Sequence, residues 1–156
     1  MATSNKLISV QHLVKEYNHG TVKALNDCSL DIAQGEVVAI IGPSGSGKST
    51  LLRSLNLLEE PTSGQIFFDG VNLADKSVDI NLHRQKMGMV FQHFNLFPHK
   101  TVLQNITMAP LALKKKSPEE AQKQAMELLE RIGLADKANE YPNMLSGGQK
   151  QRIAIV

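Results

Sequence analysis

The sequence contains one cysteine, no tryptophan and few aromatic residues of any kind, which make up 4% of the chain. Because Cys28 is alone, no disulfide can form within the chain, which is typical of proteins in a reducing compartment. The formal net charge is only +2, and with so few rings for base stacking we expect no nucleic-acid partner. The longest apolar run, residues 37–41, is far shorter than the roughly 20 residues that span a bilayer. Any membrane association would therefore require a protein partner.

The first third of the chain has the alternation and turn signals of β-structure. Residues 7–13 and 28–32 alternate between apolar and polar side chains, and residues 18–20 form a turn signal between them. Residues 64–68, followed by Asp69 and Gly70, predict a strand that enters a tight turn. Residues 37–41 and 87–91 are short apolar runs, which predict strands buried on both faces of a sheet.

From residue 92 onward the pattern becomes helical. A loop precedes a helix that begins near Thr101, and Ser117, Pro118 and Glu120 together predict the capped start of another helix. Gly133 predicts the end of that helix. We therefore predict an α/β fold with two parts, a β-rich core over residues 1–91 and a helical subdomain over residues 92–156.

A glycine-rich segment follows the apolar run 37–41 and precedes a helical pattern. Its sequence, GPSGSGKS over residues 42–49, matches the phosphate-binding P-loop. Glycines let successive backbone N–H groups point toward a phosphate chain, and the following helix adds its positive end. Lys48 supplies a mobile positive charge, and the Ser49 hydroxyl is a ligand for Mg²⁺. The candidate nucleotide-binding residues of this segment are Gly42, Pro43, Ser44, Gly45, Ser46, Gly47, Lys48, Ser49 and Thr50.

A second glycine-rich segment, Leu145-Ser146-Gly147-Gly148-Gln149, also precedes a helical pattern. By itself it would be interpreted as an ordinary helix N-cap with two glycines. Its glycines nevertheless expose backbone N–H groups at a helix start, where phosphate binds readily. The presence of both segments in one chain, in this order, distinguishes this sequence from other proteins that have a P-loop.

With both segments, the chain resembles the nucleotide-binding subunit of ABC transporters over its whole length. Residues 42–50 match the Walker A loop of that family and residues 145–149 its signature motif. Tyr17, in Val14-Lys15-Glu16-Tyr17, is similar to the aromatic residue that stacks on adenine. Gln92 is similar to the Q-loop glutamine, the catalytic residue that reaches Mg²⁺ and the attacking water. The resemblance implies a P-loop NTPase core with an antiparallel β-subdomain and a helical subdomain, an ABC ATPase domain that is incomplete here.

The resemblance also implies cofactors and partners. The cofactors are ATP and Mg²⁺, with Ser49 and Gln92 as metal ligands. Two copies pack head to tail, so that Ser146, Gly147, Gly148 and Gln149 of one copy contact the ATP held by the Walker A loop of the other. Transmembrane permease subunits bind the dimer at the cytoplasmic side of the cell membrane, and a solute-binding protein participates indirectly. Residues 94–99 and the pair Tyr141-Pro142 resemble the branch that imports polar amino acids.

The family pattern continues beyond the signature with Walker B, whose Asp and Glu support Mg²⁺ and polarise water, and with a switch histidine. No acidic residue follows Glu140 in this chain. We therefore expect this piece to bind ATP without the hydrolytic residues, and the full-length chain to be an ATPase. Two alternatives remain open: a soluble ABC-type ATPase that moves no solute, and a regulatory nucleotide-binding protein without turnover. A small-molecule P-loop kinase would leave residues 145–149 unexplained.

Overall fold

The computed structural model describes residues 6–156, which divide into two compact units. The first unit ends at Gly88, and the second runs from Met89 to Val156. The domain boundary that the sequence indicates, between residues 91 and 92, stays a prediction. Neither unit has, among these described residues, a helix long and apolar enough to cross a membrane.

The first unit is built on an antiparallel sheet. Its strands are β1 (Lys6–Tyr17), β2 (Val22–Ala33), β3 (Ser63–Phe68) and β4 (Val71–Asn72), in the order β2-β1-β3-β4. The predicted turn at Asp69 and Gly70 is confirmed: both residues have positive φ, 50° and 77°, and they join β3 to β4. A two-residue turn of this kind matches the twist of the strands it connects.

The long hairpin of β1 and β2 is not regular. Its register shifts between Val10 and Leu13, where His12 and, on the opposite strand, Asp27 have positive φ. Bulges of this type increase the local twist of a strand. Val10, Leu13 and Ile66 of the sheet are buried at 0–1% exposure.

Within residues 6–88, two helices complete the first unit, α1 (Lys48–Ser54) and the short α2 (Ile80–Arg84). Leu51 of α1 joins the core, which also contains Leu25, Phe68 and Leu73. Asp79 caps α2 by accepting a hydrogen bond from the Asn81 amide at 3.0 Å.

The prediction of buried strands at residues 37–41 and 87–91 is wrong for this structure. Neither run has regular secondary structure. Val37 and Ile41 are 96% and 93% exposed, and Val90 is 53% exposed. The physical reason is that the backbone N–H and C=O groups of a strand need hydrogen-bond partners on a neighbouring strand. Within residues 6–156 no strand pairs with either run.

The second unit is helical, as the sequence predicts. It contains α3 (Val102–Ala112), α4 (Pro118–Arg131) and α5 (Gly147–Ile155). The capping box at Ser117 and Glu120 is confirmed, with Pro118 in the first turn of α4. At the other end Gly133 has φ 67°, and the Leu134 amide donates to the Leu129 carbonyl at 2.9 Å. That is the pattern of a glycine-terminated helix.

One apolar cluster holds the second unit together. It comprises Val102, Leu129, Leu134, Ala138, Leu145 and Ile153. The first amides of α3 find acceptors outside the helix, since Val102 donates to the Glu140 carbonyl at 2.9 Å. Arg152 of α5 donates to the Ile132 carbonyl at 3.0 Å, which ties α5 to the end of α4.

Candidate nucleotide-binding site

The glycine-rich loop of the first unit is held close to the sheet. Gly47 is the N-cap of α1 with φ 89°, and its carbonyl accepts from the Leu51 amide at 2.8 Å. A Cβ atom at Gly47 would lie only 2.2 Å from the carbonyl oxygen of Ala24 on β2. Glycine is therefore required there both for its backbone conformation and for the close approach of β2.

Lys48, the first residue of α1, folds its side chain back over the loop. Its Nζ donates to the Gly42 and Pro43 carbonyl oxygens at 2.8 and 2.7 Å, with the Ser46 Oγ farther away at 3.4 Å. Beside it is a concavity of about 150 Å³, lined by Ala24 and residues 45–50. The first amides of α1 also lack intrahelical acceptors. An ammonium group and amide donors at one concavity can bind an anionic phosphate.

Tyr17 is the last residue of β1, at the end of the hairpin nearest this loop. It pairs with Val22 of β2, two residues from Ala24, whose carbonyl lies against Gly47. The Lys15 Nζ lies 4.9 Å from the centroid of the Tyr17 ring. The hairpin register thus brings the candidate adenine-stacking residue and the candidate phosphate loop to one part of the first unit.

The second glycine-rich segment begins α5 in the second unit. Ser146 is its N-cap, and its Oγ accepts from the Gln149 amide at 3.3 Å. Sequence reasoning missed the reciprocal bond, in which the Gln149 Oε1 accepts from the Ser146 amide at 2.8 Å. Gln149 at the third helical position was the available signal for this capping box.

Gly147 and Gly148 are exposed, and a Cβ at either position would meet no described atom within 4 Å. Packing within the described chain therefore does not demand glycine there. The amides of Gly147 and Gly148, in the first helical turn, have no intrahelical acceptor, and neither residue has a side chain that would cover them.

Gln92 lies on an exposed bend of the second unit. The loop that follows is fastened by Asn105 of α3, a residue that sequence reasoning missed. Its Oδ1 accepts from the Phe97 amide at 2.7 Å, and its Nδ2 donates to the Phe97, Lys100 and Thr101 carbonyls at 2.9–3.2 Å. No feature of the sequence reveals that an asparagine one turn into a helix holds the preceding loop in place.

The candidate site residues thus divide between the two units. The first unit brings together residues 42–50 and Tyr17, and the second carries Gln92 and residues 146–149. Their individual roles in nucleotide binding stay predictions.

Comparison with known proteins gives the family. The family model described as ABC transporter matches residues 25–156. The chain is 56% identical over 144 residues to the glutamine transport ATP-binding protein GlnQ of Geobacillus stearothermophilus, covering 92% of this chain and 59% of that protein. It is 53% identical over 149 residues to the arginine transport ATP-binding protein ArtM of Bacillus subtilis (strain 168), covering 96% of this chain and 61% of that protein. The chain thus spans about 60% of the length of these relatives.

A solved structure supports the same assignment. A dimeric ATP-binding cassette in a post-hydrolysis state bound to ADP and Pi superposes with a TM-score of 0.83 at 41% identity, covering 95% of this chain and 67% of that one. This likeness confirms the predicted fold class, an α/β ABC ATPase domain with an antiparallel β-subdomain and helices. The chain belongs to the ABC transporter family.

Proposed function

We propose that the protein containing this chain is the ATP-binding subunit of an importer of polar amino acids. In this proposal it couples ATP binding and hydrolysis to transport at the cytoplasmic side of the cell membrane. The observation that carries the proposal is the presence of two glycine-rich helix starts in one chain, at residues 42–48 and 146–149. Each offers backbone N–H donors to an anion.

The two helix starts account for an ATP-dependent dimer. Lys48 and the loop amides of one copy would bind the phosphates from one side. Gly147 and Gly148 of a second copy, both exposed residues, would bind the γ-phosphate from the other side through their backbone amides. Because both sets of donors need that phosphate, closure of the dimer would depend on ATP and would be released by hydrolysis.

Mg²⁺ is the expected companion of the nucleotide. The Ser49 hydroxyl follows Lys48 directly at the start of α1, and the Gln92 side chain carries an amide oxygen. Both are the hard oxygen donors that Mg²⁺ prefers. When bound, the ion would neutralise part of the phosphate charge.

We further propose that the hydrolytic carboxylates and the switch histidine lie in parts of the protein outside this chain. No Asp or Glu follows Glu140 here, and this chain covers only 59–61% of the relatives' length. The exposed apolar run at residues 37–41 would then pair with strands from those parts. This segment alone would bind ATP without turning it over.

The solute class rests on the relatives. Their names assign them to transport of glutamine, arginine, and glutamate or aspartate, and another is an L-cystine transport system ATP-binding protein. All of these solutes are polar amino acids. The permease subunits and a solute-binding protein would select among them, so this chain would supply the motor rather than the specificity.

ATP binding and dimerisation test the proposal together. Calorimetry should show ATP binding to the full chain, and Lys48→Ala should weaken it strongly because the ammonium would contact the outer phosphates. Light scattering with ATP should show a dimer that both Lys48→Ala and Gly148→Asp abolish. Gly148→Asp should leave ATP affinity of the monomer unchanged, since its contact would come from the other copy. ATP affinity that is unaffected by Lys48→Ala would refute the proposal.

A further inference from the structure

Lys15 is unusually enclosed for a lysine on a surface strand. Its side chain is only 15% exposed, and its Nζ lies 2.8 Å from the Glu59 Oε1. The same ammonium donates to the Glu60 carbonyl at 2.7 Å and lies over the Tyr17 ring, 4.9 Å from its centroid. Lysine rarely gives up this much water without specific partners, so three partners around one Nζ form a fixed position for the charge.

The segment that carries Glu59 is tied to both β1 and α1. The Thr62 amide donates to the Val14 carbonyl at 2.8 Å, and the Glu16 amide donates to the Thr62 Oγ1 at 2.9 Å. The Glu59 amide donates to the Arg53 carbonyl in the last turn of α1 at 3.1 Å. Since α1 begins at Lys48, a continuous series of contacts connects the phosphate loop with the Tyr17 ring.

We infer that Lys15 and Glu59 are positioning residues for the nucleotide base, an inference that rests on the proposed function. Alternate residues of a strand share a face, so Lys15 lies beside Tyr17 and its ammonium occupies one face of the ring. Glu59 holds the ammonium there. The ring is thereby fixed with its opposite face as the platform on which adenine stacks.

This arrangement affects only the part of the affinity that comes from the base. A ring that is already immobilised loses less rotamer freedom when the base binds. Inorganic tripolyphosphate has no base, so its affinity should not depend on the orientation of Tyr17. The ratio of the ATP and tripolyphosphate dissociation constants therefore measures the positioning role, and a general effect of charge or stability cancels in it.

The test is calorimetry of both ligands on the full chain. Lys15→Met keeps most of the side-chain length without the charge and should weaken ATP binding about two- to tenfold, with tripolyphosphate unchanged. Glu59→Gln should also weaken ATP binding. Lys15→Arg should bind ATP as tightly as the parent chain does, because it keeps a cation over the ring. Lys23→Met is the matched control. It removes a charge from the neighbouring strand, where Lys23 is 56% exposed and pairs with Glu16 at 3.4 Å.

A double variant completes the experiment. In the Tyr17→Ala background, Lys15→Met should cause no further loss of ATP affinity, because its effect passes through the ring. Equal losses for ATP and tripolyphosphate, or a full additional loss in that background, would overturn the inference. So would unchanged ATP affinity in Lys15→Met while the parent chain binds ATP normally. If the parent chain bound neither ligand, the proposed function itself would fail.

Discussion

Replacement of Gly47 by alanine is the change whose effect follows most directly from the structure. At φ 89° an L-residue is strained, at a cost of about 1–2 kcal/mol. The new Cβ would stand 2.2 Å from the Ala24 carbonyl oxygen, so α1 and β2 must separate. Overpacking of this kind costs about 1–3 kcal/mol. We therefore expect Gly47→Ala to lower the free energy of unfolding by about 2–5 kcal/mol.

Gly45→Ala is the matched control for this prediction. Gly45 also has positive φ, 80°, but a Cβ there would meet nothing within 4 Å. It should therefore lose only the strain term of about 1–2 kcal/mol. Urea unfolding followed by circular dichroism measures both variants. If Gly47→Ala were no more destabilising than Gly45→Ala, the close approach of α1 and β2 would not be a real constraint.

Two further predictions concern Glu59 and Asn105. The hydrogen bond from Lys15, with smaller contributions from Tyr17 and Arg53, holds the pKa of the Glu59 carboxyl below its ordinary value of 4.5. The ion pair therefore stabilises the folded chain at pH values above 4.5, and this stabilisation is lost as the pH falls through the lower pKa of the folded state. The free energy of unfolding of Glu59→Gln should therefore depend less on pH in the acid range than that of the parent chain. Asn105→Asp keeps the acceptor but removes the Nδ2 donor to three carbonyls. It should therefore lower the free energy of unfolding by about 1–3 kcal/mol and speed hydrogen exchange of the Phe97 amide. Unchanged exchange would contradict the role of Asn105 in holding the loop.

Features that depend on local chemistry could be predicted from the sequence. Ser117, Pro118 and Glu120 specify a helix start without reference to the rest of the chain, and Gly133 specifies its end. Asp69 and Gly70 specify their turn in the same way. The short α2 was missed because its residues are mostly polar, and only Asp79 signals its start.

Features that depend on distant partners could not be predicted. Residues 37–41 have the composition of a buried strand, yet composition does not supply the neighbour that a strand needs, and Val37 and Ile41 are exposed. The same limit applies to the site. Lys15 reads in the sequence as an ordinary surface lysine, because its partner Glu59 is 44 positions away and meets it only through the fold.

Amino-acid uptake by living cells is the most direct test of the proposed role in transport. The gene encoding the full-length protein would be deleted, and uptake of radiolabelled glutamine, arginine, glutamate and cystine measured, with a sugar as the control solute. We expect uptake of at least one of these amino acids to be lost, to be restored by the intact gene, and not to be restored by a gene carrying Lys48→Ala. Normal uptake of all four in the deletion strain, or full rescue by Lys48→Ala, would contradict it.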